Sequence, residues 1–375
     1  MKGAMLYVDA GKGHYVPAKA ASDALLRCGH DCSVEDMFTV LASPFWQWFC
    51  KHEWRFLLKH PQLERSFHRL EDNRFNAFLM SMVAARIHVA RDFCSWFERT
   101  KPDFILCTNF LGGVVITSIV QHKKLNVPVF VYVADVFNNP RAGFHRQIDR
   151  LFVPSPLGLQ NLLAQGYREE QIKLCPFPLQ TSIQMLVRTD KQSARKKLGL
   201  EVDRFTVLLN YGGEGIGSTE LLEELARRNL PWQVVIVGNL APQVKQRFLD
   251  LGAIHPFLSL HIPGFVSNIG DYMLACDVQA GKAGANALME SMALHRPFMI
   301  SELLHAAQDT STFLNGFGVG WVEKHPRRQA DILCTLANDT AMQDAMEMRF
   351  ASLPLSFDSD AFAAMLVQEV FSLDA

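Results

Sequence analysis

Nothing in this sequence pairs its cysteines. Cys28, Cys32, Cys50, Cys94, Cys107, Cys175, Cys276 and Cys334 are scattered without a CxxC spacing, which argues against a zinc site or a disulfide framework and points to a reduced, cytosolic setting. No uninterrupted apolar run reaches the roughly 20 residues of a membrane-spanning helix. The opening MKGAMLYVDAGKGH meets a glycine turn after a few apolar residues, so it reads as a first strand and not as a signal peptide. A dominant sign of charge is missing as well: 37 Lys and Arg face 38 Asp and Glu, for a net charge of -1. No whole-surface field therefore favours nucleic acid, and none is expected as a partner. Tandem repeats and low-complexity segments are also lacking.

What is present is a large supply of core. Of the 375 residues, 49% are apolar and 20% charged, enough for a folded chain of two or three domains. Short apolar runs end in Gly, Asp or Asn and are followed by longer helical patterns, the alternation of a parallel α/β architecture. Strands are expected at 5–8, 104–107, 129–133 and 151–153, and again at 205–210, 232–237, 258–262, 278–280 and 298–300. Between these sets the segment 190–197 is polar and basic (DKQSARKK) and follows the proline-broken CPFPLQ. The expected organisation is two Rossmann-like domains facing a cleft, residues 1–182 and 204–355, with a linker at 183–203. A C-terminal helix at 356–375 could pack back on the first domain. Each domain would carry its ligand loops at the carboxyl ends of its strands.

Three segments could carry chemistry. In the first, VDAGKGHYVPAKAASDAL (8–25), a strand enters a glycine turn and Pro17 is expected to open a helix. Gly13 would let the backbone approach a ligand, and His14 on the turn could take a proton from a hydroxyl. Taken alone, an ordinary turn with a surface histidine is the better explanation of this segment, because short glycine motifs are common. In the second, LLNYGGEGIGSTELLEEL (208–225), no lysine follows the glycines as in GxxxxGK[ST], and the pattern is not GxGxxG. A triphosphate loop and a nicotinamide site are thus disfavoured. Gly212 and Gly213 would meet a ligand, and Glu214 could bond a sugar hydroxyl, although an exposed loop acid is the plain alternative. In the third, His261 to Leu294, a strand ends in a small-residue turn holding Lys282, and a helix then carries Glu290. Such a helix start can neutralise a diphosphate, and a carboxylate further in can bind ribose hydroxyls.

The third segment resembles the donor-binding region of family 28 glycosyltransferases, especially diacylglycerol glycosyltransferases of the monogalactosyldiacylglycerol synthase type. The resemblance runs along nearly the whole chain: DAGKGH, FLLKHP (56–61), VYVADVF (131–137), FVPS (152–155), LLNYGGEGIG, VVIVGN, PGFVSNIGDYMLACD, GKAG and NGFGVG (315–320), in order and in spacing. It implies a glycosyltransferase-B fold, with the lipid acceptor on the first domain and the nucleotide sugar on the second. Carried over by position, Phe265 and Val266 would meet uracil, and Lys282, Ala283, Gly284, Ala285 and Asn286 the diphosphate turn. Glu290 would meet the ribose, while Gln308 and Asp309 fall near the pair that contacts the hexose. Gly238, in VVIVGN, joins the donor set. His14 matches the candidate catalytic histidine and Asp135 the first-domain aspartate near the acceptor, and either could be the base. The chain departs from the family where Gly-Pro-Gly-Thr becomes Gly284-Ala285-Asn286-Ala287, where Pro-Gly before the hexose pair becomes Ala306-Ala307, and where a histidine after Asp135 is absent.

A lipid acceptor has a second, independent indication. PFWQWFCKHEWRFLLKH (44–60) interleaves Phe45, Trp46, Trp48, Phe49 and Trp54 with Lys51, Arg55 and Lys59, a mixture suited to a helix lying in a bilayer interface. A buried aromatic helix is the equal alternative. The expectation is an inverting, metal-independent hexosyltransferase acting from a UDP-hexose on a lipid hydroxyl such as that of diacylglycerol. It would need no cofactor and would be cytoplasmic and peripheral on the inner face of the cell membrane. The alternatives are a polyprenyl-linked or soluble acceptor, or a catalytically silent nucleotide-sugar-binding protein.

Overall fold

The computed structural model describes residues 1–9, 12–59, 63, 72–84, 88–137, 139–212, 219–282, 284–302 and 308–374. The chain divides into two compact units. The first holds Met1–Gln184 with Pro354–Ala375, and the second Met185–Leu303 with Asp309–Leu353.

The first unit begins β1 (Lys2–Tyr7), α1 (Lys12–Arg27), β2 (Asp31–Asp36), α2 (Met37–Val40), α3 (Pro44–Lys59), α4 (Arg74–Ala84) and α5 (His88–Thr100). It continues β3 (Phe104–Cys107), α6 (Phe110–Lys123), β4 (Val129–Tyr132), β5 (Arg150–Val153), α7 (Pro156–Ala164), β6 (Ile172–Leu174) and α8 (Thr181–Gln184). The strands form one parallel six-stranded sheet in the order β2-β1-β3-β4-β5-β6. Its central strands FILC and VFVY are buried throughout, as expected of a sheet covered by helices on both faces. α6 is apolar nearly all round, with Gly112 to Val120 buried. A Cβ on Gly113 would come within 2.6 Å of Val131 Cγ2, and one on Gly112 within 3.2 Å of Cys107 Cβ, so these glycines let α6 lie close against β3 and β4. The C-terminal helix, Ser359–Asp374, packs on α1 and inserts the buried Phe362 between the rings of Tyr132 and Phe152.

The second unit opens with α9 (Lys191–Leu198), then runs β7 (Thr206–Asn210), α10 (Glu220–Arg227), β8 (Gln233–Val237), α11 (Pro242–Ile254), β9 (Ser259–Gly264) and α12 (Ile269–Ala275). There follow β10 (Val278–Lys282), α13 (Ala285–Ala293), β11 (Phe298–Glu302), α14 (Gln308–Phe317), β12 (Gly320–Val322), α15 (Pro326–Asn338) and α16 (Thr340–Ala351). A second parallel six-stranded sheet has the order β12-β11-β10-β7-β8-β9.

The structure differs from the sequence reading at several places. β2, β6 and β12 were not anticipated: DCSVED is polar, IKL and GWV have three residues each, and all three strands lie at sheet edges. Pro17 does not open α1 but lies inside it, five residues after Lys12. The flanking Val16, Ala18, Ala20 and Ala21 are buried, and that packing offsets the loss of one backbone donor. Within 183–203, α9 is folded onto the second unit rather than extended. The nearly buried Arg195 bonds the carbonyls of Ala275 and Val202 and the Asp277 carboxylate at 2.6 Å, and Lys197 pairs with Asp271 at 2.8 Å.

Candidate active site

In the first sheet the chain leaves β1 toward β2 on one side and returns to β3 on the other. Crossovers that diverge in this way open a crevice at the carboxyl ends of β1 and β3, where ligands bind in such sheets. His14 follows β1 and Thr108 and Asn109 follow β3, so all three lie at this switch point. His14 stands in the first turn of α1 rather than on a loop before it. Its Nδ1 lies 2.8 Å from the Thr108 carbonyl, its Nε2 lies 2.9 Å from Asn109 Nδ2, and its own carbonyl accepts from Thr108 Oγ1 at 2.7 Å. A carbonyl only accepts, so Nδ1 carries the ring proton and Nε2 the lone pair. Asn109, as the N-cap of α6, accepts from the Leu111 N–H at 2.8 Å.

Asp135 is exposed on the turn after β4. β3 separates β4 from β1, so the strands bearing Asp135 and His14 stand about 10 Å apart, two inter-strand spacings. Gly13 is exposed beside His14. The same edge carries Asp9, whose N–H donates to Asp36 Oδ2 at 2.9 Å and whose carboxylate pairs with Lys51 of α3 at 2.7 Å. Asp36 caps α2 through the N–H groups of Phe38 and Thr39. Burial pushes its carboxyl up, against the pull of those three backbone donors.

α3 carries the aromatic stretch as a helix. Phe45, Trp46, Trp48 and Phe56 are 62%, 51%, 55% and 51% exposed, Phe49 is half-buried and Leu57 is buried. Phe45, Trp46 and Phe49 form one ring cluster, with centroids 5.4–6.2 Å apart, while Trp48 stacks on His52 at 4.5 Å. The rings are therefore not the core of the first unit. The side chain of Trp54 lies outside the described residues. No helix among the described residues is long and apolar enough to cross a membrane.

The second sheet has its switch between β7 and β10. Gly212 follows β7 at φ 61°, and Gly238 follows β8 at φ 119°. A Cβ on Gly238 would come within 2.7 Å of the Gly212 carbonyl oxygen, and the Asn239 N–H bonds that carbonyl at 3.0 Å. The close approach of the two loops thus requires Gly238, while the left-handed backbone at Gly212 favours glycine there. Gly238 also donates to Gly264 at 2.9 Å, next to the exposed Phe265 and the half-buried Val266. The β10–β11 register shifts between Gly281 and Lys282, with Gly281 at φ 139° and Lys282 half-buried. Gly284 then caps α13 and supplies no side chain to its first N–H groups, which leaves the helix start suited to an anion. Ala285 and Asn286 form that first turn, and Glu290, the sixth residue of α13, is 4% exposed. Asp309 lies in the first turn of α14. Gly213, Glu214, Ala283 and the Gln308 side chain lie outside the described residues. Among the described residues, no group of three or more His, Cys, Asp or Glu could hold a metal ion.

Residues 14–179 match the family model described as monogalactosyldiacylglycerol (MGDG) synthase. Over that stretch the chain is similar to the glycosyltransferases of that family. Monogalactosyldiacylglycerol synthase 2, chloroplastic, of Arabidopsis thaliana is 25% identical over 349 residues, covering 88% of this chain and 72% of its own. Among solved structures, MurG of Acinetobacter baumannii matches with a TM-score of 0.62 at 15% identity over 99% of both chains. UDP-GlcNAc 2-epimerase from Neisseria meningitidis, bound to UDP-GlcNAc, matches with a TM-score of 0.65 at 12% identity, covering 99% of this chain and 100% of its own. The fold is the glycosyltransferase-B fold.

Proposed function

We propose that this protein is a glycosyltransferase that moves a hexose from a UDP-sugar to the hydroxyl of a membrane lipid, with diacylglycerol as the acceptor. Similarity to the monogalactosyldiacylglycerol synthase family supports the lipid, and the epimerase of the same fold, bound to UDP-GlcNAc, makes a uridine nucleotide sugar the first donor to test. The observation that carries the donor reading is the side-chain-free cap of α13 at Gly284, at the switch point of the second sheet. In the proposed reaction the acceptor oxygen attacks the anomeric carbon from the face opposite UDP, and the bond from that carbon to the diphosphate breaks with inversion. The hydroxyl proton passes to His14 Nε2, with Asp135 orienting the acceptor. Charge developing on the departing diphosphate meets the first N–H groups of α13 and the Lys282 ammonium. In this scheme no metal or cofactor is called on.

Glu290 is assigned to the ribose, where its carboxylate would accept from the hydroxyls. Glu290→Gln preserves volume and should weaken UDP binding by about 1–3 kcal/mol, the value of hydrogen bonds to a charged partner. Calorimetry with UDP checks this, and an unchanged affinity removes Glu290 from the site.

The acceptor is proposed to arrive from a lipid surface against which α3 lies. Phe75, Phe78, Leu79 and Met82 of α4 are exposed too and would add apolar area on the same unit. The protein would then be peripheral to the membrane.

A further inference from the structure

The proposed base is held on both ring nitrogens, and the second hold deserves a role. Thr108's carbonyl fixes the proton on Nδ1, at 2.8 Å, and Asn109 Nδ2 donates to the lone pair on Nε2 at 2.9 Å. The amide cannot turn over without loss. Its Oδ1 is engaged by the Leu111 N–H at 2.8 Å, so reversal would set a donor against a donor at Leu111 and an acceptor against a lone pair at His14. Asn109 is itself buried, and the helix it caps is pressed on β3 and β4 through Gly112 and Gly113. The donor on Nε2 is therefore fixed by the fold and not by local choice.

We propose that Asn109 is a positioning residue for the transfer, one that keeps His14 Nε2 unprotonated and aimed until the acceptor hydroxyl takes its place. A proton on Nε2 would confront the amide N–H, so the ring stays in the Nδ1–H form while the site is empty. When the acceptor hydroxyl enters, the Asn109 N–H withdraws from the lone pair, the hydroxyl donates to it instead, and its proton moves to Nε2 as the new bond forms. The kinetic part of this inference rests on His14 being the base; the tautomer part does not.

The test is the nitrogen NMR signature of His14 in the full chain at one alkaline pH, with no substrate present. The wild type should show a protonated Nδ1 and a lone pair on Nε2. Asn109→Asp keeps the helix cap, because aspartate is an equally good N-cap, but presents an acceptor to Nε2 and should place a proton there. Turnover should fall with it by about 100-fold, the contribution of a general base, while KM for the donor changes little. Asn109→Ser also keeps a cap and should yield a mixture of tautomers, with a smaller loss. An unchanged Nε2 lone-pair signature in Asn109→Asp overturns the inference. A changed signature with wild-type turnover upholds the positioning of the ring and removes His14 as the base, so the two failures are told apart.

Discussion

His14 tests the proposed chemistry most directly at the scale of the residue. His14 belongs to the first unit, to which the acceptor is assigned, whereas the donor residues are assigned to the second, so the histidine should act on turnover and not on UDP affinity. His14→Ala is expected to lower kcat about 100-fold or more, with the calorimetric affinity for UDP unchanged. Near-normal turnover in that variant, together with its abolition in Asp135→Asn, would move the base to Asp135. His14 was visible in the sequence because a glycine turn after an apolar run marks a strand end. Asn109 was overlooked, although an Asn directly before the apolar run FLGGVVITSIV is a helix-start signal that could have flagged it. What no pattern could supply was the meeting of residues 14 and 109, 95 positions apart, which exists only because β1 and β3 are neighbours.

At the scale of the element, legibility followed burial. The strands buried on both faces were read because continuous apolar runs announce them, and of the edge strands only β9 was, since a half-solvated strand such as DCSVED needs no such run. The helix start at Lys12 was concealed by Pro17, which by local rules belongs in a first turn. The C-terminal helix is held to the first unit by more than apolar contact. Glu369 bonds Arg150 at 2.5 Å and Lys173 at 2.9 Å. Burial alone would raise its carboxyl, but these two cations outweigh burial and hold it below the usual value of 4.5. A carboxyl depressed by folding contributes stability above its unfolded value and loses it as pH falls through the folded one. Glu369→Gln should therefore cost about 1–3 kcal/mol near neutral pH, as expected for charge-assisted hydrogen bonds. The difference in Tm from the wild type should close as the pH falls below about 4, and an equal Tm difference at every pH would show that the pair contributes no linkage.

At the scale of the whole molecule, the two sheets share one logic, with the first strand of each unit inside its sheet and a crevice at the switch beside it. That repeat of architecture without repeat of sequence is why the two-domain reading came from the alternation of apolar runs and turns. The surface was less legible, because an aromatic helix reads alike whether it is buried in a core or turned to a bilayer. The structure separates these for the first unit: Trp46 and Trp48 are half exposed, and neither belongs to its apolar core. If α3 meets a lipid surface, each ring would remove about 100 Å² from water, worth about 2–3 kcal/mol at 25 cal/mol per Å². Lys51 is tied to Asp9 at 2.7 Å, so the rings should matter more than that cation for attachment. Replacing both Trp46 and Trp48 with serine should abolish co-sedimentation with vesicles of phosphatidylglycerol and diacylglycerol, and with it lipid-dependent turnover. Affinity for UDP should be unchanged, and Tm should shift by little, since exposed rings contribute little to folding. Wild-type sedimentation in the double variant would detach α3 from the membrane, and the acceptor would then rest on family resemblance alone. A fall in stability of several kcal/mol would instead mean that the rings pack against protein.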